Sequence, residues 1–333
     1  MNRRAWGVGA TAVLAAIGLR RQLLGRALGL PPVAYRVRVR RGVAVTMSDG
    51  VRLLADHYAP QTAVPQPAIL IRTPYGRRLL NAVYAQRFAE RGYHVLCQDV
   101  RGRFGSAGTF EPYVAERADG AATIAWLARQ PWCNGRVGMW GQSYVGYVQW
   151  AAAAAAPEAL QAVVPAITQS DLAIGRVDGL QLDRMLRWLV QLDALDANVA
   201  GLPGWERLRR LTQAAAQDAL VARGASRLPL ADADLAMFDQ PVPFFRTWLR
   251  HPDPADDYWA AVDFSRAVGR VTAPAHLVAG WHDIFLDGQL ADYAALRANG
   301  RAPFLTIGPW THTDPAAAAA AIREGLAWFD AHL

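Results

Sequence analysis

Val137-Gly138-Met139-Trp140-Gly141-Gln142-Ser143-Tyr144-Val145-Gly146 decides how this chain folds. Val137 to Trp140 is a short β-favouring run, and an alanine-rich stretch from Ser143 to Ala156 has helical composition. Between them lies Gly141-x-Ser143-x-x-Gly146. A strand, a tight turn and a helix in that order are the setting of a nucleophile elbow, which exposes a serine hydroxyl at the carboxyl end of its strand. The common spacing is G-x-S-x-G, so the second glycine is displaced by one. Gly141 removes a Cβ where such a turn is crowded, and Gly146 lets the helix pack close to its neighbour. The helix N-terminus would bring N–H groups and a positive dipole end to charge developing near Ser143. A plainer reading also stands: serine is a favoured N-cap, and Ser143 could serve only as that.

Outward from the elbow, strands alternate with helices. Val43 to Tyr58 reads as a hairpin turning at Ser48-Asp49-Gly50, and the run Arg36 to Arg41 alternates with valines as a strand would. Ala68 to Ile71 and Tyr93 to Cys97 are continuous apolar runs of the kind buried on both faces. Leu79 to Arg91 and Ala118 to Gln130 have helical spacing, and Ala162 to Val164 is another buried strand. The alternation then stops. Ser170 to Trp259 holds helical stretches, Leu180 to Leu195 and Trp205 to Ala222, but no buried strand run. It resumes with strand Ala275 to Ala279, helix Asp287 to Ala298, strand Phe304 to Ile307 and a closing helix Pro315 to His332. This pattern predicts βαβ units in a mostly parallel sheet with an inserted helical cap. The division is 1–32, an apolar leader; 33–168, the first part of the core; 169–259, the cap; and 260–333, the second part of the core.

A serine nucleophile needs a base in hydrogen-bond reach and a carboxylate to orient that base. In α/β-hydrolases these follow in the order Ser, Asp/Glu, His. Beyond the cap lie His276, His282, His312 and His332. His276 is inside a strand run and reads as core. His332 is one residue from the chain end and reads as frayed. His312 follows the strand Phe304 to Ile307, on the rim where Ser143 would stand. Asp283 follows the preceding strand in the same way. His282 as base would need its acid earlier in the chain, which breaks the order. Asp287 is the alternative acid, although it reads better as a helix N-cap.

Five motifs now occur in order: Arg72-Thr73-Pro74-Tyr75-Gly76, Gln98 to Phe104, Gly141 to Gly146, Gly280-Trp281-His282-Asp283 and Gly308 to His312. Together they resemble the serine hydrolases of the cocaine esterase-like and X-prolyl dipeptidyl-peptidase-like family, from about Val43 to the C-terminus. The resemblance implies an α/β-hydrolase fold and a triad of Ser143, Asp283 and His312. It also implies an oxyanion hole made by the Tyr75 hydroxyl and the backbone N–H of Tyr144. It implies hydrolysis of a small ester, amide or short peptide without a cofactor or metal. Carboxylesterase chemistry is the first expectation and X-Pro dipeptidyl peptidase the second, since a dipeptidase must bind a free amine. Asp171, Asp178 and Asp183 could do so, but they fit solvated helix faces equally well. Gly102 to Gly108 could suggest a phosphate loop, yet no helix follows at once and no lysine is present, so it reads as a structured loop. Members of this family usually carry a C-terminal β-jelly-roll, whereas this sequence stops at Leu333. The expectation is therefore a fragment, a truncated gene product or a minimal form, with substrate choice left open, and a non-catalytic domain is the rival reading.

Composition bounds these readings. The chain has 333 residues, 53% hydrophobic and 19% charged, enough for a large core. Its net charge is +7, yet every basic residue is arginine and the arginines are dispersed, which fits genome bias better than nucleic-acid binding. Cys97 and Cys133 make no disulfide framework or zinc pattern, and the seven histidines make no metal signature. Trp6 to Leu19 is an apolar stretch following Arg3 and Arg4, short for a membrane-spanning helix. It suits an exported or membrane-anchored protein. Arg20, Arg21 and Arg26 behind it oppose translocation, so a cytosolic protein with an extra helix is the other reading.

Overall fold

The computed structural model describes residues 22–78, 80–171, 181–195, 209 and 212–333. The apolar stretch Trp6 to Leu19, Asp178 and part of the Trp205 to Ala222 stretch lie outside these residues. Among the described residues no helix is long and apolar enough to cross a membrane.

Eight strands form one sheet: β1 (Val37–Thr46), β2 (Arg52–Pro60), β3 (Gln66–Thr73), β4 (His94–Asp99), β5 (Cys133–Gln142), β6 (Leu160–Ala166), β7 (His276–His282) and β8 (Phe304–Thr311). Their spatial order is β1-β2-β4-β3-β5-β6-β7-β8. The β1–β2 and β2–β4 pairs are antiparallel, and every other pair is parallel. Helices α1 (Leu80–Ala89), α2 (Glu116–Ala128) and α3 (Tyr144–Ala153) connect the first strands. This is the α/β-hydrolase architecture. The apolar runs became strands because both of their faces are covered: every residue of β4 is buried, and so are Ala68 to Thr73 of β3. On β5 the side chains divide by pleat, with Val137 and Met139 in one core cluster and Trp140 in the other. The Arg36 to Arg41 run is indeed strand, since β1 starts at Val37 and bulges between Arg40 and Val43.

After β6 the chain makes α4 (Leu182–Leu195), α5 (Ala214–Ala225), α6 (Ala233–Phe238), α7 (Pro243–Arg250), α8 (Asp257–Ala260) and α9 (Ser265–Val268). Among the described residues from 168 to 274 there is no strand. The join between β6 and β7 is narrow. It consists of Ala166 opposite Val278 and an isolated bridge from Val163 to Ala275. Helix α10 (Leu286–Ala298) follows β7, and the last helix, α11 (Pro315–His332), lies across β5, β6, β7 and β8. Its Gly325 sits where a Cβ would come within 2.8 Å of the Trp140 ring, and Trp140 Nε1 donates to the Ala321 carbonyl at 2.8 Å.

Two details differ from the sequence reading. His332 is not frayed. It is within the last turn of α11, and its ring lies 4.1 Å from Trp328, which anchors it. Asp287 is not an N-cap. Helix α10 starts at Leu286, with Phe285 in the capping position, so Asp287 lies in the first turn and is exposed. The Phe285 N–H is taken instead by Asp283 Oδ1 at 2.8 Å, which starts the helix one step earlier.

Candidate active site

Ser143 stands between β5 and α3 with φ 55 and ψ −124. A non-glycine residue in that region is strained and persists only where its surroundings enforce it. Three features enforce it. A Cβ on Gly141 would come within 2.1 Å of Val145 Cγ1, and one on Gly146 within 2.5 Å of Thr168 Cγ2. The Ser143 N–H donates to the Ala166 carbonyl at 3.0 Å, which ties the turn to β6. Gln149, fully buried in α3, donates to the Gly141, Val145 and Val164 carbonyls and accepts from the Val164 N–H. Ser143 makes no side-chain cap bond, so its hydroxyl is not used as an N-cap.

That hydroxyl instead meets His312 Nε2 at 3.0 Å. On the other side of the ring, His312 Nδ1 meets Asp283 Oδ2 at 2.7 Å. A carboxylate can only accept, so Nδ1 carries the proton and Nε2 is left to accept from the serine. The Asp283 carboxylate is buried and also receives the Phe285 N–H, while the imidazole keeps some exposure. The Phe285 ring packs edge-on against the imidazole at 5.2 Å. His282 is exposed and shares in none of these bonds, and His276 is buried in β7 against the Thr306 hydroxyl. The strand-end logic therefore brings Ser143, Asp283 and His312 together and leaves out His276, His282 and His332.

Tyr75 lies just beyond β3. Its hydroxyl accepts from Trp188 Nε1 at 3.1 Å and has Ser143 as a polar neighbour. Burial pushes the phenol above its ordinary pKa, partly offset by the Trp188 and Ser143 hydrogen bonds and the Arg103 charge, so it stays protonated and can donate. The loop is held at several points. The Tyr75 N–H donates to Thr73 Oγ1, Arg103 Nε donates to the Pro74 carbonyl, and the Arg77 N–H donates to Asp99 at 2.7 Å. Tyr144 occupies the first position of α3, where a backbone N–H has no intrahelical partner. Its side chain points away, donating to Glu116 Oε1 at 2.8 Å and accepting from the Tyr113 N–H at 2.9 Å. Glu116 in turn pairs with the fully buried Arg72 at 2.7 Å. The Gly102 to Gly108 segment is a tight turn in which a Cβ on Gly102 would meet the Phe110 N at 2.1 Å, and it serves to present Arg103. Among the described residues no group of three or more His, Cys, Asp or Glu side chains could hold a metal ion.

The motifs did not contain Gln149, Glu116 or Trp188, and they contained Arg103 without assigning it a role. A glutamine among the apolar residues that follow Ser143 was the available signal for the first. Glu116 and Trp188 act through partners distant in the chain, and the sequence holds no local sign of them.

The sequence model of the X-Pro dipeptidyl-peptidase (S15) family matches residues 49–314. Cocaine esterase from Rhodococcus sp. (strain MB1 Bresler) is 34% identical over 293 residues, covering 83% of this chain and 49% of that protein. The chain thus spans about half the length of that curated relative. Among solved structures, an α-amino acid ester hydrolase matches with a TM-score of 0.63 and 22% identity, over 92% of this chain and 56% of that one. A CocE/NonD family hydrolase from Staphylococcus aureus matches with a TM-score of 0.65 and 17% identity, over 89% and 50%. At those identities the two structures speak to the fold.

Proposed function

The chain belongs to the X-Pro dipeptidyl-peptidase (S15) family, and from that premise we propose that it is a serine hydrolase of carboxylesterase type acting through Ser143, His312 and Asp283. The observation that carries this reading is the unbroken pair of hydrogen bonds from Ser143 Oγ to His312 and on to Asp283.

His312 Nε2 takes the hydroxyl proton as Ser143 Oγ bonds to the carbonyl carbon of the substrate. The carbonyl oxygen becomes an oxyanion and accepts from the Tyr75 hydroxyl and the Tyr144 N–H. Asp283 keeps the imidazole in the right tautomer and stabilises it once charged. The proton on Nε2 then passes to the leaving alkoxide or amine as its bond to the acyl carbon breaks. Water repeats the sequence on the acyl-enzyme, with His312 again as base. Residues 169–259 act as the cap, a role supported by the Trp188 bond to Tyr75 and the Arg103 bond to the Leu192 carbonyl. Arg184, also on α4, lies over the Phe285 ring beside the imidazole.

A fluorophosphonate probe tests the reaction class. Ser143 is expected to label in the folded chain, and His312→Ala to abolish labelling; a folded chain that does not label at all overturns the proposal. The description of the matched family favours a second substrate reading, release of an X-Pro dipeptide. Hydrolysis of a p-nitrophenyl ester without hydrolysis of an Ala-Pro anilide favours the esterase, and the reverse favours the peptidase.

A further inference from the structure

One indole touches both residues that would supply the oxyanion donors. Trp188, on α4, donates its Nε1–H to the Tyr75 hydroxyl at 3.1 Å. The same ring lies over the Tyr144 ring, with centroids 6.0 Å apart and planes 15° from parallel. Trp188 is itself held within a stack. Trp248 lies 5.8 Å from it at 8°, Tyr113 lies 6.2 Å from it at 12°, and Phe244 meets it edge-on at 5.9 Å. Its helix is also latched to the Tyr75 loop, because Arg103 donates to both the Pro74 and the Leu192 carbonyls.

A phenol oxygen carries one proton and can also accept, and without a fixed partner its O–H rotates freely between them. Indole N–H is a donor only. Its bond occupies the accepting side of the Tyr75 oxygen and so commits the phenol proton to an acceptor elsewhere. Ser143 is a polar neighbour of the phenol, so the acceptor it would serve is the substrate oxyanion that forms beside that serine. A donor bonded behind a donor also polarises the O–H and strengthens the bond it makes in front.

We propose that Trp188 is a positioning residue of the oxyanion hole, fixing the Tyr75 hydroxyl as a donor and making α4 of the inserted segment part of that hole. This rests on the serine hydrolase reading and on Tyr75 as oxyanion donor. It goes beyond that reading by assigning a role to a residue of the insertion that touches no reacting atom.

A double-mutant cycle on p-nitrophenyl acetate hydrolysis by the full chain tests it. Trp188→Phe is expected to lower kcat/KM about 10-fold when Tyr75 is present. In the Tyr75→Phe background the same change is expected to act within about twofold, because the hydroxyl it positions is gone. Equal losses in both backgrounds would assign Trp188 to packing and overturn the proposal, and so would the absence of any loss in Trp188→Phe. If Tyr75→Phe alone keeps full activity, the Tyr75 assignment fails first, a result separate from either of these. Should Trp188→Phe lack a cooperative thermal transition, the cycle is run with the sulfur isostere benzothienylalanine at position 188, which keeps the ring and removes only the N–H.

Discussion

Tyr75 is the residue whose loss separates this site from a bare Ser-His-Asp arrangement. Tyr75→Phe removes one of the two proposed oxyanion donors, and kcat is expected to fall about 100-fold with KM little changed. Steady-state kinetics on a soluble ester measure it, and an unchanged kcat would remove Tyr75 from the mechanism. The three positions proposed as the triad were legible because each sits in a short linear motif at a strand end, where chain order and topology suffice to choose among histidines. Tyr75 was legible only through a family resemblance, since a tyrosine after Thr73-Pro74 has ordinary packing roles too. Trp188 was not legible. In sequence it is one apolar position of an amphipathic helix, and its partner Tyr75 is 113 positions away. Ser143 itself changed in standing: alone it could have been a helix cap, and its lack of a cap bond together with its His312 contact removes that alternative.

Elements were read better than their ends. Buried strands announced themselves as apolar runs, while β1 began in an arginine-rich stretch because only its alternate valines pack inward. Helix α10 started earlier than expected because Asp283 captures a backbone N–H that local propensity assigns elsewhere. The ion pair of Arg72 and Glu116 joins β3 to α2 and, through Tyr144, to the start of α3. Both side chains are buried, so removing one partner strands a charge. Arg72→Met is expected to destabilise the fold by about 3–5 kcal/mol, measured by urea unfolding. A loss below about 1 kcal/mol, in the range of an exposed pair, would mean that the pair is dispensable.

At the scale of the molecule, the sheet holds a second polar cluster, on β2 and at the start of β4. His57 Nε2 and His94 Nδ1 lie 2.9 Å apart, and both rings pack against Trp132 at 4.2 and 4.4 Å. Burial pushes both histidines down to about 4, with the Arg40 charge adding to the effect on His57. The unfolded rings titrate near 6.5, so on acidification the unfolded state takes up protons first. Stability contributed by the neutral pair is therefore complete above pH 6.5 and is lost as pH falls towards 4, by about 3 kcal/mol for one ring. Asp292 works the other way: buried beneath Ser170 and pushed up to about 7, it gains stability over the same descent. Comparison with His57→Gln/His94→Asn isolates the pair, and the variant's urea midpoint should vary less between pH 6.5 and 4 than the parent's. Parallel midpoints would show that the histidines do not govern acid sensitivity. The narrow join between β6 and β7 has a different consequence. Ser143 belongs to one side of it, and Asp283 and His312 to the other. Probe reactivity at Ser143 is thus a coincidence signal, reporting that two separately encoded halves of the sheet have met in register, and it can serve as a sensor of completed folding without any knowledge of the substrate.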